Sequence, residues 1–277
     1  MPLPNPVSFD SPPVYEVVLG VEFAGPVISE AAALADFWNE IREDFPDVRR
    51  EPPLAPMAES FDAQPVQPPF EFRLGPREQS QRYLFRNEAE GLAVQVQEDR
   101  FAFGWDRRTV EREYPRYSWI RERFQAIYAT FIRAADEERL AEHPPAWCAT
   151  TYSNEIVHPD SEDPLHDPLE DILLFMQRPD SDVLPAVEDT MIRQRRLLRD
   201  ESDEPRGRLY IQALPAVTPP PELRPGYDLT LRVVQRPLDP SEAGVFTCQD
   251  EGRDLIVCSF KDITTEKMHE VWELEED

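Results

Sequence analysis

The sequence contains little glycine and almost no lysine. Nine of its 277 residues are Gly, so the glycine-rich loops that bring backbone amides close to a phosphate are scarce, and no nucleotide-binding or hydrolase motif occurs. Lys261 and Lys267 are the only lysines, and every other basic residue is an arginine. No run approaches the roughly 18 consecutive apolar residues that a membrane-spanning helix needs, so none is predicted.

Cysteine is also rare. Cys148, Cys248 and Cys258 form no metal-ligand spacing, and an odd number without a framework indicates reduced thiols in a cytoplasmic protein. Cys148 is predicted on a strand and the other two on a late helix. Residues 1–13 are rich in proline and lack the basic and apolar regions of a signal peptide, so we expect an extended arm.

The sequence is strongly acidic. Asp and Glu number 55 against 29 Lys and Arg, which gives a formal charge of -26. Such a surface repels phosphate backbones and anionic lipids, so we expect no direct nucleic-acid binding and no membrane contact, but a basic protein partner. Adaptation to salt is another explanation of the acidity. Hydrophobic residues make up 40%, too many for a disordered acidic chain, and predict a packed core.

Hydrophobic periodicity predicts the elements of the first half. Alternation over residues 15–23 is typical of a strand, and apolar residues at helical spacing follow Ser29, a candidate N-cap. Seven prolines in residues 46–69 predict a long loop without regular structure. Alternation predicts a hairpin over 92–105, and a helix begins near Pro115.

The periodicity of the second half predicts the same order of elements. Its predicted elements are a strand at 147–157, a short helix at 168–176, strands at 190–199, 209–214 and 227–234, and a helix at 241–260. Thr264 is the predicted N-cap of a last helical turn. We expect Trp272 to dock this turn on the core, although an acidic interaction tail is the alternative.

Together these patterns predict an α+β protein with an arm (1–13) and two tandem β-α-β-β-β-α units (14–142 and 146–277). Two such units join most economically edge to edge into one curved antiparallel sheet with the helices on one face. By element order alone, this pseudo-duplication resembles the saddle of the TATA-binding protein or the helix-grip of lipid-carrier domains. Such a likeness carries no function.

One acidic stretch is a candidate for metal chemistry. It contains two histidines and four carboxylates: His158, Asp160, Glu162, Asp163, His166 and Asp167. These ligand types suit zinc, manganese or iron, so a metal-dependent enzyme is one hypothesis. An acidic, solvated connection between a strand and a helix is the simpler explanation. We therefore expect no metal, no other cofactor, no catalytic residues and no catalysis.

Aromatic residues suggest a different kind of site. Phe101, Phe103 and Trp105 could line a pocket on the free concave face of the sheet, and with Trp272 they are the candidate interaction residues. The alternative is that the three pack under the following helix, which we prefer.

Two further features concern charge. The basic run consists of Arg193, Arg195, Arg196 and Arg199. Acidic residues flank it, so we expect them to cancel most of its positive potential. His269 lies among Glu266, Glu270 and Glu273, so we expect a surface imidazole with a raised pKa.

Five segments resemble a sporadically distributed family of uncharacterised bacterial proteins of similar length: PPVYEVVLGVEF (12–23), DFWNEIREDFP (36–46), VQVQEDRFAFGW (94–105), YPRYSWIRERF (114–124) and FKDITTEKMHEVW (260–272). The two ends are the specific parts, and residues 178–225 do not match. The resemblance supplies no catalytic residues. A patchy distribution implies an accessory role such as phage defence or toxin neutralisation.

The sequence therefore favours a non-enzymatic interaction module whose acidic surface engages a basic partner, such as a toxin or a nucleic-acid-binding factor. A small-ligand or peptide-binding domain that uses the concave sheet is one alternative. A metal-dependent enzyme built on residues 158–167 is the other.

Overall fold

A computed structural model describes residues 7–28, 30–61, 81–110, 113–157, 171–176, 183, 190–218 and 223–275. In this part of the chain, nine strands form one antiparallel sheet in the order β2-β3-β4-β5-β1-β6-β9-β8-β7. The strands are β1 (Val14–Phe23), β2 (Asp47–Glu51), β3 (Arg82–Asn87), β4 (Leu92–Gln97), β5 (Arg100–Asp106), β6 (Pro145–Ile156), β7 (Ile192–Arg199), β8 (Pro205–Val217) and β9 (Pro225–Gln235). The predicted α+β class with an antiparallel sheet is confirmed.

Five α-helices accompany the sheet. They are α1 (Ala31–Ile41), α2 (Tyr117–Ala134), α3 (Glu137–Glu142), α4 (Glu242–Ile263) and α5 (Glu266–Val271). Ser241 caps α4, because its hydroxyl accepts a hydrogen bond from the Gly244 amide at 3.2 Å. None of the helices in the described part of the chain is both long and apolar enough to cross a bilayer.

Both long helices cover the same face of the sheet. The register aligns Val21 of β1 with Phe101 of β5 and with Cys148 of β6, so these three side chains share a face. On α2, Phe124 packs against Phe101 with ring centroids 5.8 Å apart, and Phe246 of α4 packs against Phe124 at 6.0 Å. We call this the helix face, and we call the opposite side of the sheet the open face.

Alternation located most of the strands, and the hairpin of β4 and β5 is confirmed. Cys148 lies on β6 and the other two cysteines on α4, and all three are buried free thiols, as predicted. The predicted loop over 46–69 is wrong at its start, since β2 lies there and pairs with β3. No proline lies inside β2, so nothing prevents its pairing. Within the described residues, the first half therefore contains a strand, β2, at a place where none was predicted.

Two helical boundaries also differ from the prediction. Ser29 and residues 158–170 lie outside the described residues. In residues 171–176, where a helix was predicted, the chain makes turns, and Leu173 forms an isolated bridge with Thr264. Thr264 ends α4, and Thr265 is the residue that precedes α5, because the α4 hydrogen bonds continue one turn further than the hydrophobic pattern indicates.

The N-terminal arm is fastened to the C-terminal end. Phe9 forms a bridge with Leu274, and the Asp10 amide donates to the Glu273 carbonyl at 2.9 Å. The Arg116 guanidinium donates to the Phe9 carbonyl at 2.7 Å. Trp272 is buried, with its ring centroid 6.3 Å from that of Phe9. The last helical turn therefore docks on the core, as predicted.

His269 does not behave as its acidic neighbours suggest. Burial lowers its pKa, which corrects the predicted rise. Its ring lies 5.9 Å from the Phe9 ring, and its Nε2 is 2.8 Å from the Thr264 hydroxyl. Desolvation next to the arm therefore outweighs the attraction of the surrounding carboxylates.

Gly252 tests the contact between α4 and the sheet. A Cβ at this position would lie 2.7 Å from Thr150 Oγ1, so we expect Gly252→Ala to lower the free energy of unfolding by roughly 1–3 kcal/mol. The gain of about 1 kcal/mol in helix propensity is too small to offset this clash. Denaturant unfolding measures the change. Gly20→Ala is the control, because its Cβ would meet nothing closer than 3.7 Å. When Thr150 is also replaced by Ala, Gly252→Ala should destabilise the protein less. The same loss of stability with and without the Thr150→Ala substitution would show that the clash with Thr150 is not the cause.

Because the pKa of His269 is lowered, we expect the folded protein to lose stability in mild acid. The imidazole pKa is lowered in the folded state, so the unfolded chain binds more protons once the pH falls below about 6.5, and stability is lost from there downward. We expect wild type to lose more unfolding free energy than His269→Gln, which cannot titrate, between about pH 7.5 and about pH 5.5. Denaturant titrations at the two pH values measure this difference. Equal losses in the two proteins would contradict the prediction.

Candidate functional site

The segment that follows β2 crosses the open face of the sheet. Residues 52–61, which we call the strap, have no regular secondary structure. The Leu54 amide donates to the Gln97 side chain on β4 at 2.9 Å, and the Met57 amide donates to the Glu22 carboxylate on β1 at 2.6 Å. Backbone amides of the strap thus donate hydrogen bonds to side chains of the sheet, first on β4 and then on β1 near the middle of the sheet.

A buried ion pair anchors the strap at β1. Glu22 and Arg100 face each other in the register of β1 and β5, form an ion pair, and are each 5% exposed. The Arg100 guanidinium also donates to the Ala55 carbonyl at 2.9 Å. Both charges therefore bind each other and the strap, which is the condition under which a buried pair is tolerated.

A second anchor fixes the strap to β8. The Glu59 carboxylate accepts hydrogen bonds from the Arg208 guanidinium and the Tyr210 hydroxyl. Arg208 also donates to the Ser60 carbonyl at 2.8 Å. Phe61 packs against Trp147 of β6, with ring centroids 6.2 Å apart. The strap therefore connects the strands of the first half to those of the second.

Between the strap and strands β7–β9 lies a cavity of about 360 Å3. Its apolar wall consists of Pro56, Met57, Ala58 and Val234, and its polar wall of Glu59, Arg193, Tyr210, Gln212, Thr230 and Arg232. The register explains the polar wall. Arg193, Gln212 and Thr230 are aligned across β7, β8 and β9, and Tyr210 is aligned with Arg232.

Arg232 is the unusual member of this cavity. Its guanidinium makes no hydrogen bond or ion pair with any residue that the structure describes, and its Nε is buried without a partner. Burial lowers its pKa, which shows that the positive charge is partly desolvated. The nearest acids are committed elsewhere, since Glu59 binds Arg208 and Glu22 binds Arg100. A partly buried guanidinium thus lines the cavity without an ion-paired acid among the described residues, although Tyr210, Glu59 and Glu22 partly offset the effect of burial on its pKa.

The basic run is less neutralised than its flanking acids suggest. Of its four arginines on β7, Arg199 pairs with Asp203 at 3.6 Å. The neighbouring Asp200 carboxylate accepts the turn amides of Ser202 and Glu204 instead. Asp189, which also flanks the run, lies outside the described residues. Strands β7 and β8 together carry six arginines and no acid.

The acidic stretch proposed as a metal site is not described. His158, Asp160, Glu162, Asp163, His166 and Asp167 all lie outside the described residues. Across the residues that the structure does describe, no group of three or more His, Cys, Asp or Glu side chains is arranged to hold a metal ion.

The aromatic candidates belong to the core. Phe101 and Phe103 are 0% exposed, and Trp105 is 1% exposed. Phe101 lies under α2, with its ring centroid 5.5 Å from that of Tyr128, so this ring packs under the following helix. Trp272 packs against Phe260 at 4.9 Å. None of the four therefore lines the cavity beside the strap.

Sequence reasoning missed Arg232, although a signal was present. On β9, Leu229, Leu231 and Val233 alternate with polar residues, so Arg232 is a charged residue on an interior strand. The alternation shows that it faces away from the core. It does not show that residues 56–59 lie beside it.

The C-terminal end carries an acidic surface. Six exposed carboxylates form it, and we call them the C-terminal acidic surface: Asp10, Asp262, Glu266, Glu270, Glu273 and Glu275. The Ser11 hydroxyl donates to the Glu273 carboxylate at 2.8 Å, so the arm and α5 present their acids together. Val271, 39% exposed, lies among them as an apolar contact.

Comparisons with known proteins do not assign a family. No model of a known protein family matches the chain, and a search of curated proteins finds no match either. The resemblance to a sporadically distributed bacterial family stays a prediction.

Glu22 tests the anchor of the strap. We expect Glu22→Gln to lower the free energy of unfolding by about 3–5 kcal/mol, because Arg100 then keeps a buried charge without its partner. Hydrogen exchange at the Met57 amide should also become faster. Glu51→Gln is the matched control, since Glu51 is more exposed and lies 3.9 Å from Arg82, where an ion pair contributes about 0–1 kcal/mol. Equal effects of the two substitutions would contradict the anchor.

Proposed function

We propose that the protein is a non-enzymatic interaction module whose acidic surface binds a basic protein partner. The observation that carries this proposal is the uneven distribution of charge. Strands β7 and β8 carry six arginines and no acid in a chain of net charge -26, so the excess of acid lies in the rest of the chain. The C-terminal acidic surface is a part of that excess fixed on a docked helix.

The mechanism follows from rigid placement of the acids. The buried Met268 and Trp272 hold α5 on the core, so the carboxylates of the C-terminal acidic surface keep their positions before a partner arrives. Such charges attract a basic surface over about 8 Å at physiological ionic strength and mainly raise the association rate. Val271 then supplies apolar contact. A toxin, or a nucleic-acid-binding factor whose DNA-facing surface is covered, has the required chemistry.

The setting that we propose is cytoplasmic and accessory. Three buried free cysteines support a reducing compartment. The accessory or defence role is based on the sequence resemblance alone.

We also propose that the chain is a tandem duplication with units at 14–142 and 146–277 after an arm at 1–13. The strand order supports this. β1 and β6, the first strand of each unit, pair at the middle of the sheet, and β5-β4-β3 continue outward on one side as β9-β8-β7 do on the other. α2 and α4, which follow β5 and β9, cover the same face. This arrangement is similar to a saddle such as that of the TATA-binding protein.

Neutralising the C-terminal acidic surface tests the proposed function. We expect the triple variant Glu266→Gln, Glu270→Gln, Glu273→Gln to associate more slowly with its partner and with a weaker dependence on salt, because steering by these carboxylates is lost. The partner is first captured from extracts of the source cells at low salt, and its association rate is then measured over a range of ionic strength.

The matched control is the triple variant Glu137→Gln, Glu138→Gln, Glu142→Gln, which removes the same charge from exposed positions on α3. It should associate at close to the wild-type rate. A partner with an acidic isoelectric point would contradict the proposal. So would capture that ignores salt, or equal slowing in both triple variants.

A further inference from the structure

The cavity beside the strap has a local charge opposite to that of the chain. Arg193 and Arg232 contribute two guanidinium groups, and the single carboxylate in its wall, Glu59, is bound to Arg208 and Tyr210. The protein has a net charge of -26, so its composition predicts that an average surface region is acidic. The two arginines in this wall make the cavity locally basic instead.

The burial of Arg232 is unfavourable without a counter-ion. A guanidinium removed from water gains stability only when a carboxylate, a phosphate or several acceptors replace its hydration. In the described chain the Arg232 guanidinium forms no hydrogen bond or ion pair. Arg100 adds a second positive charge to its surroundings. Tyr210, Glu59 and Glu22 act in the opposite direction. A ligand that supplies oxyanion oxygens would remove this cost.

The walls of the cavity limit what that ligand is. Its volume of about 360 Å3 fits a small molecule, and Met57, Pro56 and Val234 provide an apolar side. Gln212 and Thr230 add polar groups beside the arginines. The guanidinium fork matches the two oxygens of a carboxylate or a phosphate.

We infer that this cavity is a binding site for a small organic anion, with its carboxylate or phosphate group on Arg232 and Arg193 and its apolar body against the strap. The site lies on the open face, away from the C-terminal acidic surface. It is therefore independent of the proposed basic partner, and either proposal can fail while the other stands.

The strap forms one wall of the site. Glu22 and Arg100 hold it on one side of the cavity, and Glu59 with Arg208 holds it on the other. Residues 56–59 between these anchors form one wall. The ligand consequently binds between a fixed sheet and a segment pinned at two points.

Thermal unfolding of the full chain with three probes tests the inference. The probes are inorganic phosphate, phenyl phosphate and benzoate, the last two carrying an apolar body. At a probe concentration about ten times its Kd, we expect the Tm of wild type to rise by roughly 3 °C with at least one probe. Arg232→Met and Arg232→Gln should lose this rise, and Arg193→Met should reduce it, because one guanidinium remains.

The matched control is Arg49→Met, which removes the same charge from exposed strand β2. It should keep the full rise. Phosphate also stabilises proteins through its exclusion from their surface, and the Arg232 variants measure that contribution. A rise with phenyl phosphate and not with benzoate assigns a phosphate ligand, and the reverse assigns a carboxylate. No rise in wild type with any probe, or the same rise in wild type and the Arg232 variants, would overturn the inference.

Discussion

The antiparallel pairing of β1 with β6 is the interaction on which the rest of the structure depends. It joins the strands of the two halves of the chain into one sheet through nine paired positions, of which the seven from Glu16 to Glu22 are consecutive. Because one sheet results, α2 and α4 share a face and contact each other through Phe124 and Phe246. The same pairing leaves one continuous open face, long enough for the strap to cross from β4 to β8.

Charge is unevenly distributed along the described chain. The helix side carries the C-terminal acidic surface, whereas the outer strands β7 and β8 carry arginine without acid. Net charge alone predicts attraction for basic partners everywhere on the molecule. We propose that this attraction is concentrated at the C-terminal acidic surface. The cavity beside the strap, lined by Arg193 and Arg232, responds to its own charges more than to distant, screened ones.

We propose that the strap contributes to recognition as well as to stability. Its first anchor is the buried ion pair of Glu22 and Arg100, in which the Arg100 Nε has no partner among the described residues. Farther along the open face, the Arg232 Nε is also buried without a partner in the described chain, and burial lowers the pKa of this residue. What distinguishes Arg232 is its place in the wall of the cavity beside Arg193, and the proposed anion site is argued from that arrangement.

The sequence by itself determined the local elements. The alternation of Leu92, Val94 and Val96 predicted the β4–β5 hairpin, and Ser241 marked the start of α4, because these signals depend on neighbouring residues. The short strand β2 was hidden by the surrounding prolines. The burial that lowers the pKa of His269 depends on Phe9, far away in the sequence. Likewise, only the tertiary structure brings Glu22 to Arg100 and residues 56–59 to Arg232. Periodicity shows which side chains share a face of one strand, but which strands and loops become neighbours is decided by long-range pairing that no local pattern encodes.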